Sequence, residues 1–470
     1  MKTNLYICFS LSVFLAVSCI DDKEYNPKLP QNPSVTNPKD YAMPINANKV
    51  FKHPGCMVSQ EDFDRAKKHI EAGDEPWTTA FEELKKGRFF LRDNNETRVG
   101  SLYKGYLVRG SADKEYYIEE LDEYKKWSGN YGIEYQDGSA AFSKAVYWKL
   151  TGDAKFADAV VHILNAWAKE CKGIIGDNNA ALCVMQSAHN FASIAELMRD
   201  YPGWKAEDQA IFKEWLIKVH EDKLVAFLDK HATNASSSGS THYWSNWDLG
   251  HMAALMAIGV YCDRPDLYNK ALDYVTYGGG NGNFRRFINY IHPAIDGEDD
   301  IDLGQTQEAG RDQGHNLYSI RLGSIICRIA WNQGDDLYGY DDNRFLKAAE
   351  FVAKYNYGPL IEQQNGGSPL TYPFHAAIVN SNGDYHSDNS ADGRSMFYAG
   401  FLSVYEHYHR HKGLTTRYLR WAAKTPGQND LEADTTKVVL IEPEADSQNQ
   451  GAGYGHGTLL FTEDGSKLKL

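Results

Sequence analysis

Between residue 58 and residue 412 apolar residues recur at three- and four-residue spacing, and strand-like alternation is almost absent. That is the signature of helices. Ser59 to Gly73 opens on a capping Ser, carries acidic residues in its first turn and closes on Gly. Ala140 to Leu150 and Lys155 to Lys169 are two helical patterns joined by Thr151-Gly152-Asp153, an αα-hairpin in miniature. The same spacing marks Ala180 to Arg199, Glu207 to His231, Trp247 to Cys262, Asp266 to Val275, Gln307 to Trp331, Arg344 to Tyr355 and Ser395 to Lys412. Loops rich in Gly, Asn, Ser or Asp separate them. A long succession of paired helices in one domain predicts an all-α fold, an (α/α) toroid or barrel whose inner helices ring a cleft. A helical solenoid is the alternative, but no fixed period runs through the chain. After Thr425 the character changes: Lys437 to Ile441 and Thr458 to Thr462 are short β-like runs about a Gly-rich stretch. The expected layout is therefore a toroid over 51–425 and a small β-containing C-terminal segment over 426–470.

Two stretches break the apolar pattern with residues that bind and move protons. In Gly304 to Tyr318 (GQTQEAGRDQGHNLY), a continuous helix would put Glu308, Arg311, His315 and Tyr318 on one stripe, at i, i+3, i+7 and i+10. A solvated face usually carries interchangeable Lys and Glu; this one mixes a guanidinium, an imidazole and a phenol with three Gln, Gln305 among them. In Thr241 to Gly250 (THYWSNWDLG), His242, Asn246 and Gly250 fall roughly on one helix face beside Trp244 and Trp247. Rings beside hydrogen-bonding groups suit a sugar, stacking on its C–H face while polar groups fix its hydroxyls. A packed aromatic helix start with a capping Asn accounts for the same residues.

Composition narrows the partners. A formal net charge of −14 argues against nucleic acid, and for a polyanionic substrate it requires cationic groups gathered locally in a cleft. Beyond Cys8 and Cys19, five scattered cysteines without a CxxC predict small core residues rather than disulfides or a metal site. Residues 1–18 read as a lipoprotein signal peptide: Lys2 begins a basic region, Leu5 to Val17 is too short to span a bilayer, and Ala16-Val17-Ser18-Cys19 is a cleavage box. Cys19 would be the lipidated N-terminus and 19–50 a tether, so an exported lipoprotein at the outer membrane surface or in the periplasm is expected, as a monomer.

His53 to Trp77, Tyr147 to Ala168 and the EAGRDQGH core (Glu308 to His315) together resemble the alginate lyase superfamily of polysaccharide lyases. Tyr405 to Leu414 resembles its late helix, and the likeness runs from about His53 to about Leu414. Within the superfamily the chain is most similar to family thirty-eight of Bacteroidota, whose members cleave alginate or glucuronan. The Asp21-Asp22-Lys23-Glu24 run resembles surface-export tags of lipoproteins from that group. The resemblance implies an α/α toroid, an anionic polysaccharide as partner, no cofactor, and β-elimination on a 4-linked uronate. By that likeness Asn246 neutralises the sugar carboxylate, and Glu308, Arg311 and Tyr318 match a Glu, an Arg three later and a Tyr seven beyond it, the Tyr serving as base and acid. Ser240-Thr241-His242 before Tyr243-Trp244 departs from the Asn-His expected there, so His242 or His315 supplies the imidazole. His315 is preferred, since it shares the Arg311 stripe.

The chemistry asks for the same set. Removing a C5 proton beside a carboxylate needs that carboxylate neutralised, a base for the proton and an acid for the leaving O4. For Tyr318 to be the base, positive charge from Arg311 and His315 should lower its phenol pKa. Arg285, Arg286 and Arg394 are expected at flanking subsites, and Tyr131 and Tyr135 in a cleft-lining loop. Asp296 to Asp302 reads as a solvated loop rather than a Ca²⁺ site, and His407 with His411 lacks a third ligand, so no metal is expected. A non-catalytic surface glycan binder is a competing reading. So is an inverting glycoside hydrolase using Asp248 and Glu308.

Overall fold

The computed structural model describes residues 42–232, 242–364, 366–396, 399–423 and 455–464. The signal peptide, Cys19 and Lys437 to Ile441 lie outside them. Residues 42–50, expected as the end of a tether, are hydrogen-bonded to the body: Met43 N donates to Thr276 Oγ1 (3.3 Å), and Lys49 pairs with Asp335 (2.8 Å).

The chain begins as its sequence announces. Helix α1 (Gln60–Ala72) starts at a reciprocal Ser59–Asp62 capping box and stops at Gly73, whose φ of 72° only glycine adopts freely. Helix α2 (Trp77–Leu84) follows, then three short strands that the apolar periodicity had not suggested: β1 (Tyr106–Arg109), β2 (Tyr116–Ile118) and β3 (Glu123–Lys125). Next come α3 (Gly132–Thr151), α4 (Ala154–Glu170), β4 (Gly173–Gly176), α5 (Ala180–Met198) and α6 (Ala206–Ala232). After residue 241 come α7 (Ser245–Tyr261), α8 (Pro265–Tyr277), the single turn α9 (Phe284–Phe287), and strands β5 (Ile288–His292) and β6 (Leu303–Thr306). Helices α10 (Gln313–Asn332) and α11 (Tyr340–Gln364) precede the β7 (Ala377–Ile378) and β8 (Tyr385–His386) hairpin. Then come α12 (Phe401–Glu406), a π turn over His407–His411, and α13 (Leu419–Ala422).

Among the described residues the strands make four two-stranded ribbons, each too short for its alternation to compete with the helical signal. They decorate a ring of helices. All 17 residues of α7 are buried, as are most of α5 and α10, and these three pack side by side as inner walls, with α4, α6, α8 and α11 behind them. Close approach is built in: a Cβ on Gly250 of α7 would lie 2.1 Å from Met185 Sδ of α5. One apolar cluster runs from Phe51 through to Phe461. The fold is thus the expected α/α toroid.

The C-terminal expectation is overturned in part. Thr458 to Thr462, read as β-like, is instead the short helix α14 (Gly457–Phe461). It is docked on α1 because Arg65 donates to the carbonyls of Leu460 and Thr462 and the Arg328 guanidinium lies 5.1 Å above Phe461. The acidic run around Asp299 is also tied down: Lys354 pairs with Glu298 and with buried Asp299 (2.7 Å). Among the described residues no group of three His, Cys, Asp or Glu is placed to hold a metal.

Candidate active site

The single helix expected over Gln307 to Trp331 does not form as one piece. Helix α10 begins only at Gln313, because Asp312 sits extended (φ −166°, ψ 156°) and its carboxylate caps the helix by accepting from His315 N (2.8 Å). Glu308 to Arg311 instead make a tight turn out of β6. A Cβ on Gly310 would come 2.6 Å from His386 Cβ, so this turn is pressed between α10 and the β7–β8 hairpin. The turn brings Glu308 and Arg311 back to the mouth of α10, and they meet His315 by a route other than a helical stripe.

Glu308 is fully buried and is the hub of this half of the site. Its Oε1 accepts from Ser245 Oγ (2.9 Å), Asn246 N (3.0 Å), Asn246 Nδ2 (2.9 Å) and Ser319 Oγ (3.0 Å). Its Oε2 accepts from Asn246 Nδ2 (2.9 Å) and Arg311 Nη1 (2.7 Å). Helix α7 has no side-chain cap of its own, so this carboxylate, with Gln307 Oε1 on Ser245 N (2.7 Å), closes its N-terminus. Burial would push the Glu308 carboxyl up, but the Arg311 charge and the Asn246 amide hold it below the usual carboxylate range. Ionised and enclosed, it locks Asn246 and Arg311 in place.

Arg311 is held from three further directions. Its guanidinium lies 4.6 Å over the Trp244 ring, its Nε is 3.5 Å from Asp312 Oδ2, and its Nη2 is 3.3 Å from His315 Nε2. A guanidinium only donates, so Nε2 of His315 accepts, and Nδ1 carries the proton it gives to Asp312 Oδ2 (2.7 Å). Burial opposes ionisation of Asp312, and the His315 hydrogen bond prevails to keep its pKa low. Two carboxylates share one guanidinium and one imidazole here, which leaves this half little spare positive charge for an anionic ligand.

Further positive charge comes from Arg109 and Arg321, which the sequence reading did not single out. Tyr318 stands one turn along α10 from His315, and its hydroxyl accepts from Gln186 Nε2 (3.0 Å) of α5. Gln186 Oε1 in turn accepts from Arg109 Nη1 (3.0 Å) and from the Tyr135 hydroxyl. Arg109 stacks 4.5 Å over Tyr131. It reaches this point from β1, which pairs in parallel with β4, and only glycine fits the flanking positions. A Cβ on Gly176 would lie 1.8 Å from Arg109 O, and one on Gly129 1.9 Å from Val108 O. Buried Arg321 adds a second positive charge from α10 itself.

Burial pushes the Tyr318 phenol above its ordinary value, while the Gln186 amide, Arg321 and Arg109 pull it down. The expectation that Arg311 and His315 would lower it is corrected: they are committed to Glu308 and Asp312. Beneath Tyr318, a cavity of water-molecule scale is lined by Gln186, His189, Asn190 and Arg321. Glu134 of α3 accepts from Asn190 Nδ2 (2.9 Å), and burial pushes its carboxyl up to about 8, which keeps a negative charge away from the phenol at neutral pH.

Several expected site residues are placed elsewhere. Trp247, 1% exposed, is core. Gln305 is buried on β6, where its carboxamide exchanges hydrogen bonds with the His375 backbone (2.7 and 3.0 Å). Arg285 is paired with Asp341, and Arg394 is sandwiched by Tyr355 (4.1 Å) and Tyr372 (5.0 Å). His242 lies before α7 rather than on its face, its carbonyl accepting from Asn382 (3.4 Å). Tyr135 belongs to α3, not to a loop. Polar Gln186, His189 and Asn190 inside the otherwise apolar α5 were a readable signal for the missed half; Arg109 offered none.

A helical toroid whose cleft gathers a phenol, guanidinium groups and imidazoles, with its nearby carboxylates buried and engaged, has the make-up of a polysaccharide lyase. Residues 126–360, half of the chain, match the alginate lyase family, and the protein belongs to it. Among solved structures it is similar to an alginate lyase from Bacteroides ovatus (14% identity, 87% of this chain and 100% of that one, TM-score 0.51). It is also similar to alginate lyase A1-III complexed with a tetrasaccharide (17% identity, 88% and 98%, TM-score 0.50). The A1-III enzyme from Sphingomonas species A1 gives 16% identity over 88% and 100%, with a TM-score of 0.47. No curated protein matches the sequence.

Proposed function

We propose that the protein cleaves alginate, and glucuronan as a second polymer, by β-elimination at a 4-linked uronate. The observation that carries this reading is the donor aimed at the Tyr318 oxygen. Arg109 can only donate, so the Gln186 carbonyl must face it and the Gln186 N–H must face Tyr318. A donor directed at that oxygen stabilises the phenolate over the phenol. Tyr318 as phenolate takes the C5 proton; the C5–H electrons form the C4=C5 bond, the C4–O4 bond breaks, and O4 recovers a proton from the same phenol. Arg311 and Asn246, oriented by Glu308, neutralise the sugar carboxylate as charge builds on it, and each such donor is worth on the order of 3 kcal/mol. Where C5–H and C4–O4 lie on opposite faces, a second base is required, and His315 or His242 is the candidate.

The hydrolase reading needs two opposed, open carboxylates. Glu308 is fully engaged, and Asp248 is buried, bonded to Gly282 N (2.9 Å) and Tyr274 (3.2 Å) and pushed by burial up to about 7. Incubation with alginate and glucuronan distinguishes the classes: a rise in ultraviolet absorbance of the unsaturated uronate supports the lyase, reducing ends without absorbance a hydrolase, and neither a binder. Within the family we place the chain nearest family thirty-eight. Export as a lipoprotein anchored through Cys19 at the outer membrane completes the proposal; fatty-acid labelling that survives Cys19→Ser would refute it.

A further inference from the structure

The β7–β8 hairpin brings a third imidazole to the site. His386, paired across the ribbon with Ala377, lies parallel to the Trp244 ring (centroids 5.7 Å apart, interplanar angle 7°), the same ring that carries the Arg311 guanidinium. Its side chain packs on the Glu308–Arg311 turn at Gly310, where an added Cβ would meet His386 Cβ at 2.6 Å and Cγ at 2.8 Å. The segment on either side is stitched down: Gln307 Nε2 donates to Val379 O (3.0 Å), Ser390 N to Ala309 O (3.0 Å), and Gln313 N to Asp392 O (2.7 Å). A hairpin fastened at so many points holds its side chain in a fixed pose.

The ring itself is only half used. Nδ1 is buried and has no hydrogen-bond partner among the described residues, whereas Nε2 is neither buried nor bonded. Enclosing an N–H without an acceptor is costly, so the ring proton belongs on Nε2, the nitrogen still reachable from outside. Burial also lowers the imidazole pKa, and Arg311 opposes a second positive charge so near. His386 is therefore a neutral ring with one fixed donor, next to the group that binds a carboxylate. It lies outside residues 126–360, the stretch that matches the family.

We propose that His386 is a substrate-contacting, specificity-determining residue whose Nε2–H donates to an oxygen of the uronate unit held by Arg311. This rests on the lyase reading for its ligand class, a uronate oligosaccharide. The epimers of a uronate place carboxylate and hydroxyl oxygens differently, and a donor on a fastened ribbon fits one placement better than another. The inference distinguishes His386 from a residue that merely packs on Trp244.

The test compares His386→Phe, which keeps a flat stacked ring and removes the donor, with His386→Gln, which keeps a donor and loses the ring. Both are made in the Tyr318→Phe background, so that binding is read without turnover, and thermal unfolding confirms that each variant folds. Binding of mannuronate, guluronate and glucuronate tetrasaccharides is followed by calorimetry. The expected result is about five- to fiftyfold weaker binding of one epimer by His386→Phe, with the other two less affected and partial recovery in His386→Gln. Equal affinities in parent and His386→Phe for all three, or an equal loss for all three, would overturn it. Failure of the lyase reading is seen separately, as absence of the unsaturated product from the chain with Tyr318 intact, while the binding comparison still decides the role of His386.

Discussion

The Nε2 amide of Gln186 donates to the phenolic oxygen of Tyr318 across 3.0 Å. Because Arg109 and Tyr135 occupy the other end of that amide, its direction is fixed, and three elements, β1, α3 and α5, act on one atom of α10.

Tyr318→Phe should lower turnover on the preferred polymer by about 10²- to 10⁴-fold, the usual worth of a positioned acid–base group, with oligosaccharide binding within about threefold of the parent. Steady-state kinetics with calorimetry checks both halves. Retention of a tenth of the activity would move the base to another residue.

Arg109→Ala and Gln186→Leu each remove a group that pulls the Tyr318 pKa down. The phenolate should then form only at higher pH, so the rising limb of the kcat/KM profile shifts in the alkaline direction in both variants. A profile that falls in height without moving would show that these residues only shape the cleft.

Glu308→Ala leaves Arg311, Asn246 and the α7 N-terminus without their shared anion. The expected cost is about 3–5 kcal/mol of stability, as for other buried pairs cut on one side, together with loss of activity. Denaturant unfolding measures the first. A variant as stable as the parent would mean that the cluster relaxes onto other partners.

Glu134 gives the pH dependence of stability a definite sign. Its folded pKa, about 8, lies above the ordinary 4.5, so the folded state holds a proton that the unfolded state has lost. The stability this gives is full below pH 4.5 and is lost as pH rises through 8. Glu134→Gln, which cannot ionise, should gain stability over the parent as pH rises from 5 to 8, read from urea midpoints. A constant difference across that range would contradict the assignment.

Most of the ring is legible from apolar spacing, because helices such as α1 and α4 carry their own caps, Ser59 and Asp153. The start of α10 is misplaced by that same spacing, since local capping by Asp312 outweighs a periodicity that continues through Gln307. Half of the candidate site is legible for a similar reason: Asn246, Arg311, His315 and Tyr318 lie in two compact polar stretches. The other half is not. Arg109 and His386 sit on ribbons of four and two residues, and what makes them part of the site is the close approach of Gly129, Gly176 and Gly310 to distant backbone.

Arg109, Gln186, Asn246, Arg311 and His386 are spread over nearly three hundred residues, each delivered by a different stretch of the ring. Contacts of such long range are slow to form, because the loops they close must be ordered first. A refolding chain should recover its helical signal well before its catalytic power, with catalysis appearing only when the last ribbon settles onto the turn at Gly310.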